Sequence, residues 1–280
     1  MRFSNITAAV LALCAATPAL AQEEEKLVTV SGSVGLVSDY RFRGVSQTDK
    51  EMGIQGGITL SHASGFYAGT WGSNLAGWGT FGGSNTELDL FGGYKMDLGG
   101  GMAIDAGLTW YMYPGGANKT DFAELYAKLS ATVGPVNLLG GVAYAPKQEA
   151  LGRWYFSGAS ASTGIFDAPG DKEDNLYLWA DISSTLPDTP ITLKGHVGYS
   201  NGNSGLGPNG TSVAPTGKYV DWLVGADFAV PSTPLTVGIA YVDTNITKAE
   251  SAYLLPNFSS TKNGSSIASG KVVFSVTAAF

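Results

Sequence analysis

The chain has 280 residues, a formal net charge of −7, 14% charged and 44% hydrophobic residues, and one Cys. A sequence pI near 4.8 excludes the basic face of a nucleic-acid binder, and the hydrophobic content excludes a disordered chain. Beyond the N-terminal leader no segment holds the roughly 18 uncharged apolar residues that a spanning helix needs, while 39 Gly and 11% aromatics suit an all-β protein.

The first 21 residues read as a secretory leader. Arg2 supplies the positive start, residues 6–16 the short apolar core, and Ala19-Leu20-Ala21 a small-x-small site cleaved between Ala21 and Gln22. Cys14 belongs to the discarded core, because Leu13 stands where a lipoprotein leader has a small residue. The remaining domain, 22–280, has no Cys, so no disulfide framework supports it.

After the acidic start at Glu23 the hydrophobic pattern has period two. In the first stretch, Val28, Val30, Val34, Leu36, Tyr40 and Phe42 share one face, and Thr29, Ser31, Ser33, Asp39, Arg41 and Arg43 the other. At 53–62, Ile54, Ile58 and Leu60 oppose Gln55, Thr59 and Ser61. At 86–97, Leu88, Leu90, Tyr94 and Met96 oppose Glu87, Asp89 and Lys95. At 121–133, Leu125, Ala127 and Leu129 oppose Glu124, Tyr126 and Lys128. At 218–230, Val220, Trp222, Val224 and Phe228 oppose Asp221 and Asp227, and at 269–280, Val272, Phe274, Val276 and Phe280 oppose Lys271, Ser275 and Thr277. Fainter alternation marks 66–75, 102–113, 136–146, 174–186, 191–200 and 235–244.

Twelve strands of ten or so residues are long for a soluble sheet, where about 5–6 is usual, and match the roughly 9–11 residues of a bilayer-crossing strand. Their connections alternate long and short from the first, at 44–52, to the last, at 245–268. The short ones carry turn residues, as in Gly99-Gly100-Gly101, Gly134-Pro135 and Pro187-Asp188-Thr189-Pro190. Short turns on one side and long loops on the other, with an even strand count, describe an outer-membrane barrel. The expected fold is therefore all-β: a closed antiparallel transmembrane β-barrel of about 12 strands. Two aromatic belts are expected at its rims: Tyr40, Phe42, Trp110, Tyr113, Tyr144, Tyr177, Trp179, Tyr199, Tyr219, Trp222 and Tyr241 at the outer, and Phe66, Tyr67, Tyr94, Phe228 and Phe280 at the inner.

Residues 38–48 read SDYRFRGVSQT and residues 71–74 read WGSN. With the leader, the length and Phe280, the chain resembles the TorF-type porin family of proteobacterial outer-membrane proteins, over essentially all of 22–280. The resemblance implies an outer-membrane barrel with a channel role. It implies no catalytic residues and no particular solute.

Selectivity in a pore resides in its rings of charge. Period two sends Asp39, Arg41, Arg43, Glu87, Asp89, Lys95, Asp105, Glu124, Lys128, Lys194, Asp221, Asp227 and Lys271 inward as pore-lining residues. Acids predominate among them, so a porin passing small polar solutes or ions should mildly prefer cations. Loop 147–173, with Arg153-Trp154-Tyr155-Phe156, is expected either to obstruct the mouth or to stand exposed. The final alternation up to Phe280 is similar to the signal read by barrel-assembly machinery, the expected partner besides outer-membrane lipid. A non-conducting structural or adhesive barrel is the alternative. A barrel lipase, for which His62 and Ser64 would supply base and nucleophile, is disfavoured because no orienting carboxylate lies near in sequence. His62 and His196 are far apart and no Cys accompanies them, so no metal or other cofactor is expected.

Overall fold

The structure, a computed structural model, describes residues 27–280. The leader, Cys14 and the Ala21–Gln22 junction lie outside the described residues. Twelve strands close into one antiparallel barrel: β1 (Val28–Val37), β2 (Gly53–His62), β3 (Phe66–Asn74), β4 (Thr86–Gly99), β5 (Met102–Met112), β6 (Phe122–Val133), β7 (Val136–Gln148), β8 (Glu173–Thr185), β9 (Ile191–Asn201), β10 (Lys218–Ala229), β11 (Leu235–Thr244) and β12 (Lys271–Ala279). Each strand pairs with its sequence neighbours, and β12 returns to β1. Closure leaves no sheet edge with a row of unpaired N–H and C=O groups.

The seam between β1 and β12 runs from Ser33↔Ala279 to Val37↔Ser275. Phe280 extends it: its N–H donates to the Gly32 carbonyl and its carbonyl accepts the Gly32 N–H, both at 2.9 Å. Its ring covers Gly32, where a Cβ would stand 2.7 Å from a ring carbon and 2.8 Å from the Gly57 carbonyl oxygen. Gly32→Val should therefore destabilise the barrel by about 1–3 kcal/mol, the usual range for overpacking. The urea midpoint of the refolded barrel checks this, and an unchanged midpoint would show that the seam has slack.

The exterior is apolar. Val30, Val34, Ile58, Leu90, Leu125, Leu129, Ile182, Val224, Ile239 and Phe274 are all exposed there. Trp110, Tyr144 and Tyr241 are exposed toward the long-loop end, and Phe66, Tyr94, Phe228 and Phe280 toward the short-turn end. Other rings of the expected belts lie inside instead. Tyr40, Tyr113, Tyr177 and Tyr219 are buried, Phe42 packs against the same interior cluster, and Tyr67 bonds to the inward Asp105. Trp179 also faces inward, because on β8 it is Leu178, Ala180 and Ile182 that are exposed. Aromatic identity alone does not choose a face. A ring suits either an interface or the space over a glycine.

That second use explains much of the glycine. On the inner wall, Trp71, Tyr67, Phe91, Tyr126 and Trp179 stand directly across from Gly57, Gly93, Gly69, Gly107 and Gly141 on neighbouring strands. In four of the pairs a Cβ on the glycine would strike the partner's ring, and at Gly57 it would press on Trp71 at 3.1 Å. Each aromatic side chain takes the space a glycine leaves bare, which fits bulky groups into a narrow curved interior.

Candidate functional site

The first strand ends at Val37, short of the expected Arg43. Beyond it the chain folds into the barrel instead of extending the wall. Arg41-Phe42 pairs with Val45-Ser46 in a short hairpin. Arg43 (φ 48°) and Gly44 (φ 79°) make its turn, the two positive-φ positions of a tight hairpin. The left-handed conformation costs a non-glycine residue roughly 1 kcal/mol, so Arg43 must be held.

Arg43 is held from several strands. Its Nη2 lies 2.6 Å from both oxygens of Glu124 on β6. Its guanidinium sits 4.1 Å over the Tyr177 ring of β8 and 4.7 Å over Phe42. Its carbonyl accepts the Tyr219 hydroxyl of β10 at 2.9 Å. Nearby, the Tyr40 hydroxyl is 3.2 Å from both Glu87 oxygens on β4, and its ring packs edge-on against Trp71 of β3. The hairpin thus spans the lumen.

Most of the inward charges are paired. Arg41 Nε donates to Asp39 at 2.9 Å, with Lys271 Nζ 3.8 Å from the same oxygen. Lys128 meets Asp105 at 2.7 Å and Lys194 meets Asp227 at 2.6 Å. Lys95 stands directly across from Asp105 on β5. Glu87 and Asp89 have no basic partner within ion-pair distance among the described residues, and Asp89 is only 2% exposed. Asp221 belongs to a cluster that sequence reasoning misses. His196 Nδ1 is 2.6 Å from Asp181, and its Nε2 is 2.9 Å from the Tyr177 hydroxyl and 3.2 Å from Asp221. Finding it requires the register that sets Asp181 opposite His196, and assigning Tyr177 and Trp179 to the outer wall hides Asp181 with them.

Above the hairpin the long loops pack together. One apolar cluster joins Val45, Trp78, Trp154, Tyr155, Leu206, Leu254 and Ile267, and a second joins Tyr40, Leu75, Phe81, Tyr113, Phe122 and Leu151. Of the aromatic segment in loop 149–172, Trp154 and Tyr155 enter this cap while Phe156 remains 46% exposed. Asp167 and Asp171 accept the backbone N–H groups of Phe156 and Arg153 at 2.7 and 2.8 Å. The bond from Phe156 holds the Asp167 carboxyl below the usual aspartate range. The obstruction deepest in the barrel is the hairpin, with loop 149–172 above it.

At the opposite end, His62 Nδ1 is 2.7 Å from Ser64 Oγ and also accepts the Ser64 N–H at 3.1 Å. Both bonds are local to the turn, and among the described residues no carboxylate is hydrogen-bonded to His62.

Residues 21–280 match the family model described as a bacterial protein of unknown function, Gcw_chp. No curated protein matches the sequence. The chain is similar to the KdgM porin in complex with disordered oligogalacturonate, with 9% identity and a TM-score of 0.49 over 90% of this chain and 98% of that one. It is also similar to a porin refined at 1.8 Å, with 11% identity and a TM-score of 0.42 over 90% and 100% of the two chains. A third similarity is to the outer membrane channel DcaP of Acinetobacter baumannii, with 10% identity and a TM-score of 0.42 over 93% and 100%.

Proposed function

We propose that this chain, which belongs to the Gcw_chp family of bacterial proteins of unknown function, is a porin-like outer-membrane channel of the TorF type for small polar solutes or ions. The observation that carries this reading is the division of the wall. A closed 12-strand barrel turns apolar side chains outward and ionised ones inward. In water the outer face would be an apolar patch far beyond what soluble monomers expose, whereas in lipid it needs no cover. Strand number supports a slender passage, since 8 strands are filled by side chains and 16–18 leave an aqueous channel. Residues 38–48 and 71–74, which carry the TorF resemblance, form the hairpin segment and its dock on Trp71. The long loops would face outward, and assembly machinery would insert the barrel.

The charge balance of the inward residues supports a mild cation preference. Planar-bilayer reversal potentials test this. Under a potassium chloride gradient the wild type should favour potassium. Clear anion selectivity in the wild type would defeat the cation assignment.

The hairpin and the apolar cap favour a second reading, a barrel that serves as a sealed structural or adhesive element. Conductance separates the two. Catalysis forms no part of either. Lipid-ester hydrolysis by the purified barrel, lost in Ser64→Ala, would reverse that.

A further inference from the structure

A small cavity lies beneath the hairpin. Asp39 and Arg41 line it from above, and Gln55 of β2, Lys194 of β9 and Ser275 of β12 from the wall. Its room, about 30 Å³, suits an object of one or two waters in size. Two donors here have nothing to donate to. The Arg41 side chain is 1% exposed. Its Nε bonds Asp39, and its Nη1 donates to the carbonyls of Gly44 and Ser269 at 2.9 and 2.8 Å. Its Nη2 has no partner among the described residues, and neither does Gln55 Nε2. Leaving a buried donor unmade is costly, most of all on a charged group, so the unmet donors of Arg41 and Gln55 at one cavity mark a place for an acceptor.

The surrounding charge specifies which kind. Arg41, Lys50 and Lys271 crowd this wall, and Lys194 lines the cavity. Burial, followed by the charges of Arg41 and Lys271, holds the Lys50 ammonium below its ordinary range. The nearby carboxylates are Asp39, Asp49 and Asp227, and each is already engaged. Asp39 takes Ser46 Oγ and Arg41, Asp49 takes Thr261, and Asp227 takes Lys194. These carboxylates already have partners, Glu51 beyond them is taken by Lys262 at 2.7 Å, and the unmet guanidinium donor with Lys194 beside it favours an acceptor that carries a negative charge.

We propose that Arg41 Nη2 and Gln55 Nε2 form a binding site for a small monovalent inorganic anion of the chloride class, within the barrel and under the hairpin. The site goes beyond the channel reading and does not rest on it, since it exists equally in a conducting and in a sealed barrel.

Chloride-35 NMR linewidths of the refolded full chain in detergent test it. The wild type should show excess linewidth that saturates with chloride and is displaced by bromide. The Gln55 amide nitrogen makes no hydrogen bond among the described residues, so Gln55→Leu should fold normally, as its heat-modifiable migration on a gel will confirm. It should weaken binding about tenfold, as expected for losing one bond to a charged acceptor. Gln55→Glu should abolish binding. The proposal is overturned if the wild type broadens chloride no more than Gln55→Glu does, or if bromide-soaked crystals give no anomalous peak beside Arg41 and Gln55, which would leave water as the occupant. Bilayer conductance reports on the channel reading separately.

Discussion

Excising Arg41–Ser46 and joining Tyr40 to Gln47 through two glycines should raise single-channel conductance by roughly three- to tenfold, because the narrowest part of a pore sets its flux. The Gln47 N–H already donates to the Tyr40 carbonyl at 2.7 Å, so the new ends are neighbours and a two-residue turn spans them. Glu124→Gln and Asp39→Asn belong in the same variant, because the excision takes Arg43 from Glu124 and both Arg41 and Ser46 from Asp39. The expectation rests on how the hairpin is anchored. From β1 it reaches Glu87 on β4, Glu124 on β6, Tyr177 on β8 and Tyr219 on β10. A segment tied to four strands around the wall narrows the path beside it. Planar-bilayer recording of wild type and variant decides the matter. If both conduct alike, the restriction lies in the loop cap. If neither conducts, the sealed-barrel reading stands.

The second large effect is energetic. Glu124→Ala should destabilise the barrel by about 3–5 kcal/mol, the cost of stranding a buried charge. Both side chains of the Arg43–Glu124 pair are under one-tenth exposed, at 7% and 3%. Among the described residues no other carboxylate is within ion-pair distance of Arg43, which would also lose one of the contacts that hold it in a left-handed conformation. Arg43→Met combined with Glu124→Leu removes both charges and should restore most of the loss, since a buried pair is worth little more than well-packed apolar groups. Urea midpoints of the three proteins measure this. Equal midpoints for wild type and Glu124→Ala would mean that water reaches Arg43.

The hairpin also bears on the family resemblance. The SDYRFRGVSQT segment that carries it is the segment that leaves the wall and enters the lumen. Its alternation mimics a strand, since Tyr40 and Phe42 continue the phase of Val34 and Leu36. A period-two reading therefore runs β1 on to Arg43 and places both aromatics on the lipid face. The cue that the chain turns is Arg43-Gly44, a tight-turn pair whose positive φ values are permitted by the glycine and held at the arginine by contacts far away in sequence.

What the sequence determined by itself is the barrel. Strand number, the alternation of long and short connections, and the phase of Glu87, Asp89, Lys95, Glu124, Lys128, Asp221 and Asp227 follow from a local rule: successive side chains on a strand point to opposite sides, and a charge on the apolar side is penalised. Only the tertiary structure decided what fills the barrel. The pairing of Arg43 with Glu124, the Asp181–His196–Asp221 cluster, the rings laid over cross-strand glycines and the inward fold of the hairpin depend on register and closure, which bring residues tens or hundreds of positions apart into contact. Period two states which way a side chain points, but what it meets there is settled only when the sheet has closed.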